Sequence, residues 1–407
     1  MPYLKMSECD LKNRRVLIRE DFNVPMKDGV ITDDARIRAA IPTIEYALKQ
    51  NAAVILISHL GRPTEVISVS DQGKQIMSAE NALLTLAPIA KRLSELLQKP
   101  VKFIFDWING CEIKPGEILL CENVRFLIGE KKCDEALSKK MAALCDIFVM
   151  DAFATAHRRE CSTVGVVEFS KKSCAGLLLD AELQALTKAF THPVKPLIAI
   201  VGGSKVSTKM SVLDSLLDKV NTLIVGGGIA NTFLAADNVV IGKSLIELDW
   251  IAPAKKLLEK ARDKKVFIPL PVDVAVAKNF SSDEKAVIKS VHAIKSDDMI
   301  LDVGPKTAAA YEKIMHDAKT IVWNGPVGVF EFPAFAAGTK ALGQAIADSS
   351  AFSLAGGGDT LAAIAQFHLE NKISYLSTGG GAFLEFIEGK TLPAVAALEK
   401  QAFSYNQ

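Results

Sequence analysis

Short apolar runs rich in β-branched residues recur along the chain, each bounded by polar or glycine positions. The first half carries "RVLIR" (15–19), "AAVILIS" (52–58), "EILLCE" (117–122) and "DIFVMD" (146–151). The second carries "PLIAIV" (196–201), "TLIVG" (222–226), "TIVWN" (320–324), "FSLAG" (352–356) and "ISYLS" (373–377). Runs this short and this apolar read as buried strands. Between them the period changes: Met210, Leu213, Leu217 and Val220 are spaced for one face of a helix. Strands that alternate with helices imply parallel sheets covered on both faces. The expected fold class is therefore α/β, with two doubly wound parallel-sheet (Rossmann-like) domains. "DAELQALTKAF" (180–190) reads as a helix, and the two prolines of "THPVKP" (191–196) end it. This predicts an N-terminal domain over 1–179, an interdomain helix and hinge over 180–196, and a C-terminal domain over 197–389.

Length agrees with two domains, since 407 residues exceed one ordinary core. A formal net charge of +1 argues against bulk attraction to nucleic acid or anionic lipid. The first twenty residues are too charged for a signal peptide, and no apolar stretch is long enough to span a bilayer. Seven cysteines, an odd number with no C-x-x-C spacing, favour reduced thiols and a cytoplasmic protein over disulfides or a zinc site.

Two residue types divide the chain. Ten of eleven arginines precede residue 191, whereas 18 of 26 glycines follow residue 190. Guanidinium forks suit carboxylates and phosphates, and glycine clusters let backbone N–H groups close on phosphates and flat bases. One half is thus equipped for a small anion and the other for a nucleotide. Four glycine groups directly follow predicted strands: Gly202–Gly203, Gly226–Gly228, Gly356–Gly358 and Gly379–Gly381. Behind the first come Lys205 and Lys209, read as one turn apart near a helix start, without the spacing of a Walker loop. Cations at a positive helix end are unfavourable unless an anion joins them. In "GGGDT" (356–360), Asp359 is placed either to cap its helix or to reach a metal on the phosphates.

In the first half polar groups gather after each strand: Asp21 and Asn23, then Arg36, His59 and Arg62, Arg125, and His157 with Arg158. A single surface arginine is ordinarily just solvated; five separate segments furnished in this way point to a site. No serine–histidine–acid set and no H-E-x-x-H are evident. That absence would fit a carboxylate or phosphate oxygen as the nucleophile. It is already ionised at neutral pH, so it needs positioning and charge neutralisation, not a general base.

Those segments together resemble phosphoglycerate kinase, in its bacterial form, over essentially the whole chain. "REDFNVP", "SHLGRP", "DAFATAHR", "VGGSKVSTK", "GGGIANTF", "WNGPVGVFE", "GGGDT" and "STGGGAFLE" occur in the family's order. The resemblance implies reversible transfer of the acyl phosphate of 1,3-bisphosphoglycerate to Mg-ADP, giving 3-phosphoglycerate and ATP. Asp21, Asn23, Arg36, His59, Leu60, Gly61, Arg62, Arg125 and Arg158 would hold the three-carbon acid. Gly203, Lys205, Lys209, Gly226, Gly227, Asn324, Pro326, Glu331, Gly357, Gly358, Asp359 and Thr360 would hold the nucleotide. Asp359 would bind Mg²⁺, and Arg36, Lys209, Gly357 and Gly380 would serve the transfer itself. Hinge closure, a monomer with small-molecule substrates only, and a C-terminal segment (390–407) returning to the first domain are implied with it.

Three positions depart from the family pattern. Ala154 stands where glycine is usual and would be strained if that position needs a positive φ. Glu20 adds a carboxyl beside Asp21, and Leu127 follows "ENVRF" where a polar residue is common. A non-catalytic nucleotide-binding relative would bind without turnover. A dinucleotide-dependent dehydrogenase is excluded by the glycine spacing.

Overall fold

The computed structural model describes residues 3–63, 68–69, 75–76 and 79–405, with the side chains of 68–69, 75–76, 79–80 and 405 left out of account. The last two residues of the 390–407 segment therefore lie outside it. The chain divides into two compact units, residues 1–183 with 391–407, and residues 184–390.

The first unit is built on a six-stranded, wholly parallel sheet. Its spatial order is Ser173–Ala175, Ile147–Met150, Arg15–Arg19, Ala53–Ile57, Ile118–Cys121 and Val101–Ile104. The central runs are apolar throughout because helices cover both faces; every residue of "AVILI" (53–57) is buried. The two edge strands had no signal in the pattern. "VKFI" (101–104) is only partly buried, and "SCA" (173–175) is three residues long. Helix Pro393–Tyr405 packs here: the Ala394 N–H donates to the Ala156 carbonyl at 3.1 Å, and Gln401 Nε2 to the Val167 and Ser170 carbonyls at 2.8 and 2.9 Å.

The second unit carries a five-stranded parallel sheet, ordered Thr222–Val225, Leu197–Val201, Thr320–Asn324, Phe352–Gly356 and Tyr375–Ser377. It also holds an antiparallel three-stranded sheet that the apolar pattern did not disclose: Val287–Ser290, Asp273–Ala277 and Met299–Val303. Its outer strand 287–290 is largely exposed, so no apolar run marks it. Helix Leu177–Phe190 starts three residues before the predicted one, and the boundary between units falls inside it.

In both sheets the strand order reverses beside the first strand, Arg15–Arg19 in one and Leu197–Val201 in the other. Loops diverge at such a point and leave a crevice beyond the carboxyl ends of the strands. The sequence-predicted residues lie at those ends. All seven cysteines are free thiols, five of them buried, and the described residues contain no His/Cys/Asp/Glu cluster able to hold a metal by themselves.

Candidate active site

In unit 1 the strand exits converge. Arg36, in the first turn of helix Ala35–Lys49, donates from its Nη1 to the Asn23 carbonyl at 2.9 Å and lies 3.1 Å from Asp21 Oδ2. Asn23 Oδ1 accepts the Gly61 N–H at 2.8 Å, tying the first strand exit to the second. Gly61 has φ +63°, and a Cβ there would come within 2.6 Å of Leu84, so both turn and packing require glycine. Arg125 donates to the Gly61 carbonyl at 2.6 Å and approaches Glu160 Oε1 at 3.5 Å, which Arg158 Nη1 faces at 3.8 Å. His59 is buried, and its ring is held well below the ordinary imidazole pKa by burial and then by the positive charges of Arg19, Arg125, Arg158 and Arg36. Leu60 is buried with its N–H on Asn123 Oδ1 at 3.2 Å, while Arg62 is exposed. Arg36 and the His59 ring thus flank Asp21, and Arg19, Arg125, Arg158 and Arg36 set four positive charges around that ring.

Several contributors carried no sequence signal of their own. Arg19, Glu122, Asn123, Glu130 and Glu160 are all buried polar residues. Glu122 accepts from the Leu86 and Asn123 N–H groups and from Thr85 Oγ1, and so sets the Asn123 side chain that bridges residues 60, 84 and 125. Such residues are legible only from partners distant in the chain.

The three departures resolve locally. Ala154 sits in a single 3₁₀ turn, Phe153–Thr155, and has no positive φ, so alanine imposes no strain. The Glu20 carboxyl is fully buried, and both oxygens lack hydrogen-bond partners. Burial first, then the carboxyls of Asp151 and Asp21, push its pKa well up, which disfavours a second negative charge beside Asp21. Leu127 ends the 3₁₀ turn Val124–Phe126 through its N–H to the Val124 carbonyl at 3.1 Å.

In unit 2 the helix behind the first glycine pair is shorter than its periodicity implied. It spans Met210–Leu216, so Lys209 is its capping residue and Lys205 lies in the preceding turn. The two lysines do not share a helix face: Lys205 is exposed and Lys209 is mostly buried. Lys209 Nζ donates to the Gly202 carbonyl and to Asn324 Oδ1, both at 2.7 Å. These are neutral oxygens, and desolvation lowers the ammonium to about 8 against a weak opposing pull from Asp359.

Glycines let the surrounding loops touch. A Cβ on Gly202 would stand 1.8 Å from the Pro326 carbonyl oxygen, and Gly357, at φ +101°, presses on the Asn324 amide. Asn324 Nδ2 donates to the Gly356 carbonyl at 2.7 Å, and Thr360 Oγ1 accepts from the Gly325 N–H at the same distance. Strand ends at 201, 324 and 356 are thereby locked together. Gly380 caps helix Gly381–Ile387 and is exposed.

A cavity of about 680 Å³ opens beside them. Gly203, Gly227, Pro326, Glu331 and Asp359 line its polar part, and Leu245, Val274, Met299, Leu301 and Val329 its apolar part. That combination suits a flat ring with a charged tail. Asp359 is exposed in the first turn of helix Gly358–Gln366.

A family model described as phosphoglycerate kinase matches residues 6–390. The chain belongs to the phosphoglycerate kinase family. A curated phosphoglycerate kinase from Francisella tularensis subsp. holarctica is 56% identical over 402 residues, covering 99% of this chain and 100% of the relative. The solved phosphoglycerate kinase from Coxiella burnetii superposes with a TM-score of 0.91 at 55% identity, over 98% of this chain and 100% of that one. The one from Pyrococcus horikoshii gives 0.83 at 34% identity, over 98% and 99%. The expectations of a phosphoglycerate kinase fold, a kinase activity and a glycolytic role therefore stand. No helix among the described residues is long and apolar enough to cross a membrane.

Proposed function

We propose that unit 1 holds the three-carbon acid and unit 2 holds Mg-ADP or Mg-ATP, and that an in-line transfer carries one phosphoryl group between them. The observation that carries this reading is Lys209. A mostly buried ammonium whose partners are neutral oxygens is an uncompensated charge, and it lies beside a cavity shaped for a nucleotide. An incoming phosphate supplies the missing anion.

Arg36, His59, Arg62, Arg125 and Arg158 would grip the acid, with Arg36 nearest the reacting carboxylate and Asp21 and Asn23 orienting it. Glu331 would take the ribose hydroxyls, and Gly203, Gly226 and Gly227 would lie against the base. The N–H groups at Gly357, Gly358, Thr360 and Gly380 would face the phosphates, with Lys205 at their solvent side and Lys209 following the transferred group. Magnesium would be held by Asp359 together with nucleotide oxygens, because a single carboxylate plus phosphates is an ordinary magnesium set. Bound there, it supplies charge neutralisation on the phosphates. The residues themselves position both reactants and keep the nucleophilic carboxylate ionised. Transfer needs the reacting oxygens at near-contact distance, so we infer that helix Leu177–Phe190 and the segment up to residue 196 act as a hinge. The enzyme is read as a cytoplasmic monomer acting on small molecules.

A coupled assay of ATP-dependent 3-phosphoglycerate phosphorylation, with and without Mg²⁺, tests this. Turnover that needs Mg²⁺ and collapses in Arg36→Ala supports it. Nucleotide binding with no turnover in either direction would convert the reading to a non-catalytic relative.

A further inference from the structure

The side chain of Arg19 is fully buried at the end of the first strand, and each of its three guanidinium nitrogens has a partner. Its Nε donates to Ser162 Oγ at 3.0 Å, its Nη1 to the Glu20 carbonyl, and its Nη2 lies 3.2 Å from His59 Nδ1. Ser162 passes the contact on. Its Oγ donates to Glu130 Oε1 at 2.5 Å and its N–H to Oε2 at 3.1 Å, so a wholly buried carboxyl backs the guanidinium.

An arginine donates only and keeps its proton. The ring nitrogen facing it must therefore present a lone pair, and a neutral imidazole then carries its hydrogen on the other nitrogen. We propose that Arg19 is a positioning residue that holds His59 as the neutral Nε2–H tautomer, so that the ring offers one fixed N–H donor to the bound phosphoglycerate. This deepens the reading of unit 1 as the acid-binding half and rests on it for the identity of the acceptor.

The groups facing the ring agree. Arg19, Arg36, Arg125 and Arg158 all oppose a second positive charge there, and burial adds to them. Among the described residues the one carboxylate within 4 Å of the ring is Asp21, whose Oδ1 is 3.9 Å from Nδ1, too far for a hydrogen bond. Among the described residues His59 makes no hydrogen bond through Nε2, which leaves that N–H for a ligand. A protonated ring would instead set N–H against N–H beside a guanidinium.

The test is a long-range ¹H–¹⁵N spectrum of the full chain labelled at its six histidines, with His59→Gln identifying the resonance. Wild-type protein is expected to show the Nε2–H tautomer at pH 7.5 and to stay neutral below the ordinary imidazole range. In Arg19→Met the ring should become a mixture of tautomers and titrate higher than in the wild type, while burial still holds it down. The KM for 3-phosphoglycerate should rise on the order of tenfold, with the KM for ADP within about twofold. An Nδ1–H tautomer or ordinary titration in the wild type overturns the proposal, and so does an unaltered ring in Arg19→Met. The wild-type spectrum decides the tautomer even if that variant fails to fold. A locked ring whose replacement in His59→Gln leaves the KM for 3-phosphoglycerate unchanged would overturn the unit 1 site assignment instead.

Discussion

Replacing Lys209 by methionine separates what this residue does for stability from what it does for turnover. Burial lowers its ammonium from the ordinary 10.5 to about 8. A shift of that size corresponds to about 3 kcal/mol against the charged form in the folded protein. Methionine fills a similar volume without the charge and relieves that penalty. Against this, the Gly202 carbonyl and Asn324 Oδ1 each lose a donor at 2.7 Å, at about 1 kcal/mol apiece. The net expectation is a gain of about 1 kcal/mol for the free enzyme, or roughly 2–4 °C in the melting of a unit of this size. Turnover should move the other way. Loss of a preorganised cation at the transferred group costs on the order of 10²–10³ in kcat. Scanning calorimetry of the ligand-free protein and a coupled assay in both directions read the two effects. A melting temperature several degrees lower would mean that Lys209 is a structural tie, not a cation held ready for an anion. Near-normal kcat would remove it from the transfer.

Three further outcomes follow from the same geometry. Because the Lys209 ammonium titrates near 8 in the free enzyme, ADP should bind most tightly below that pH and weaken as the cation is lost above it. A dissociation constant that stays flat from about pH 7 to 9.5, measured by calorimetry, would contradict this. Gly202→Ala places a methyl 1.8 Å from the Pro326 carbonyl, so unit 2 should lose about 1–3 kcal/mol or more in urea unfolding, with weakened nucleotide binding. Ala154→Gly should lower stability by about 0.5–1 kcal/mol and leave the KM for 3-phosphoglycerate unchanged; a gain in either would show that the turn resents a side chain.

The sequence by itself determined where four of the six strands of the first parallel sheet and all five of the second run, and where the chemistry sits along the chain. Runs such as Ala53–Ile57 and Leu197–Val201 are apolar on both faces, and a strand buried on both faces has no other composition open to it. The glycines after those runs were equally legible, because close backbone approach tolerates no side chain. Tertiary structure decided the rest. Strand Val101–Ile104 is only partly buried and strand Val287–Ser290 largely exposed, so burial leaves no continuous apolar mark on them, while Ser173–Ala175 is buried but only three residues long. The helix at Met210 begins after Lys209, not before Lys205; the preceding turn closes through the Lys209 N–H on the Val206 carbonyl at 3.0 Å and is tied to Glu247 by the Ser207 N–H at 2.7 Å, a partner forty residues away. Above all, the charge states of Lys209, His59 and Glu20 depend on how much water and which neighbours folding leaves around them. Residue type states that a group can ionise; only its folded surroundings set the cost of doing so.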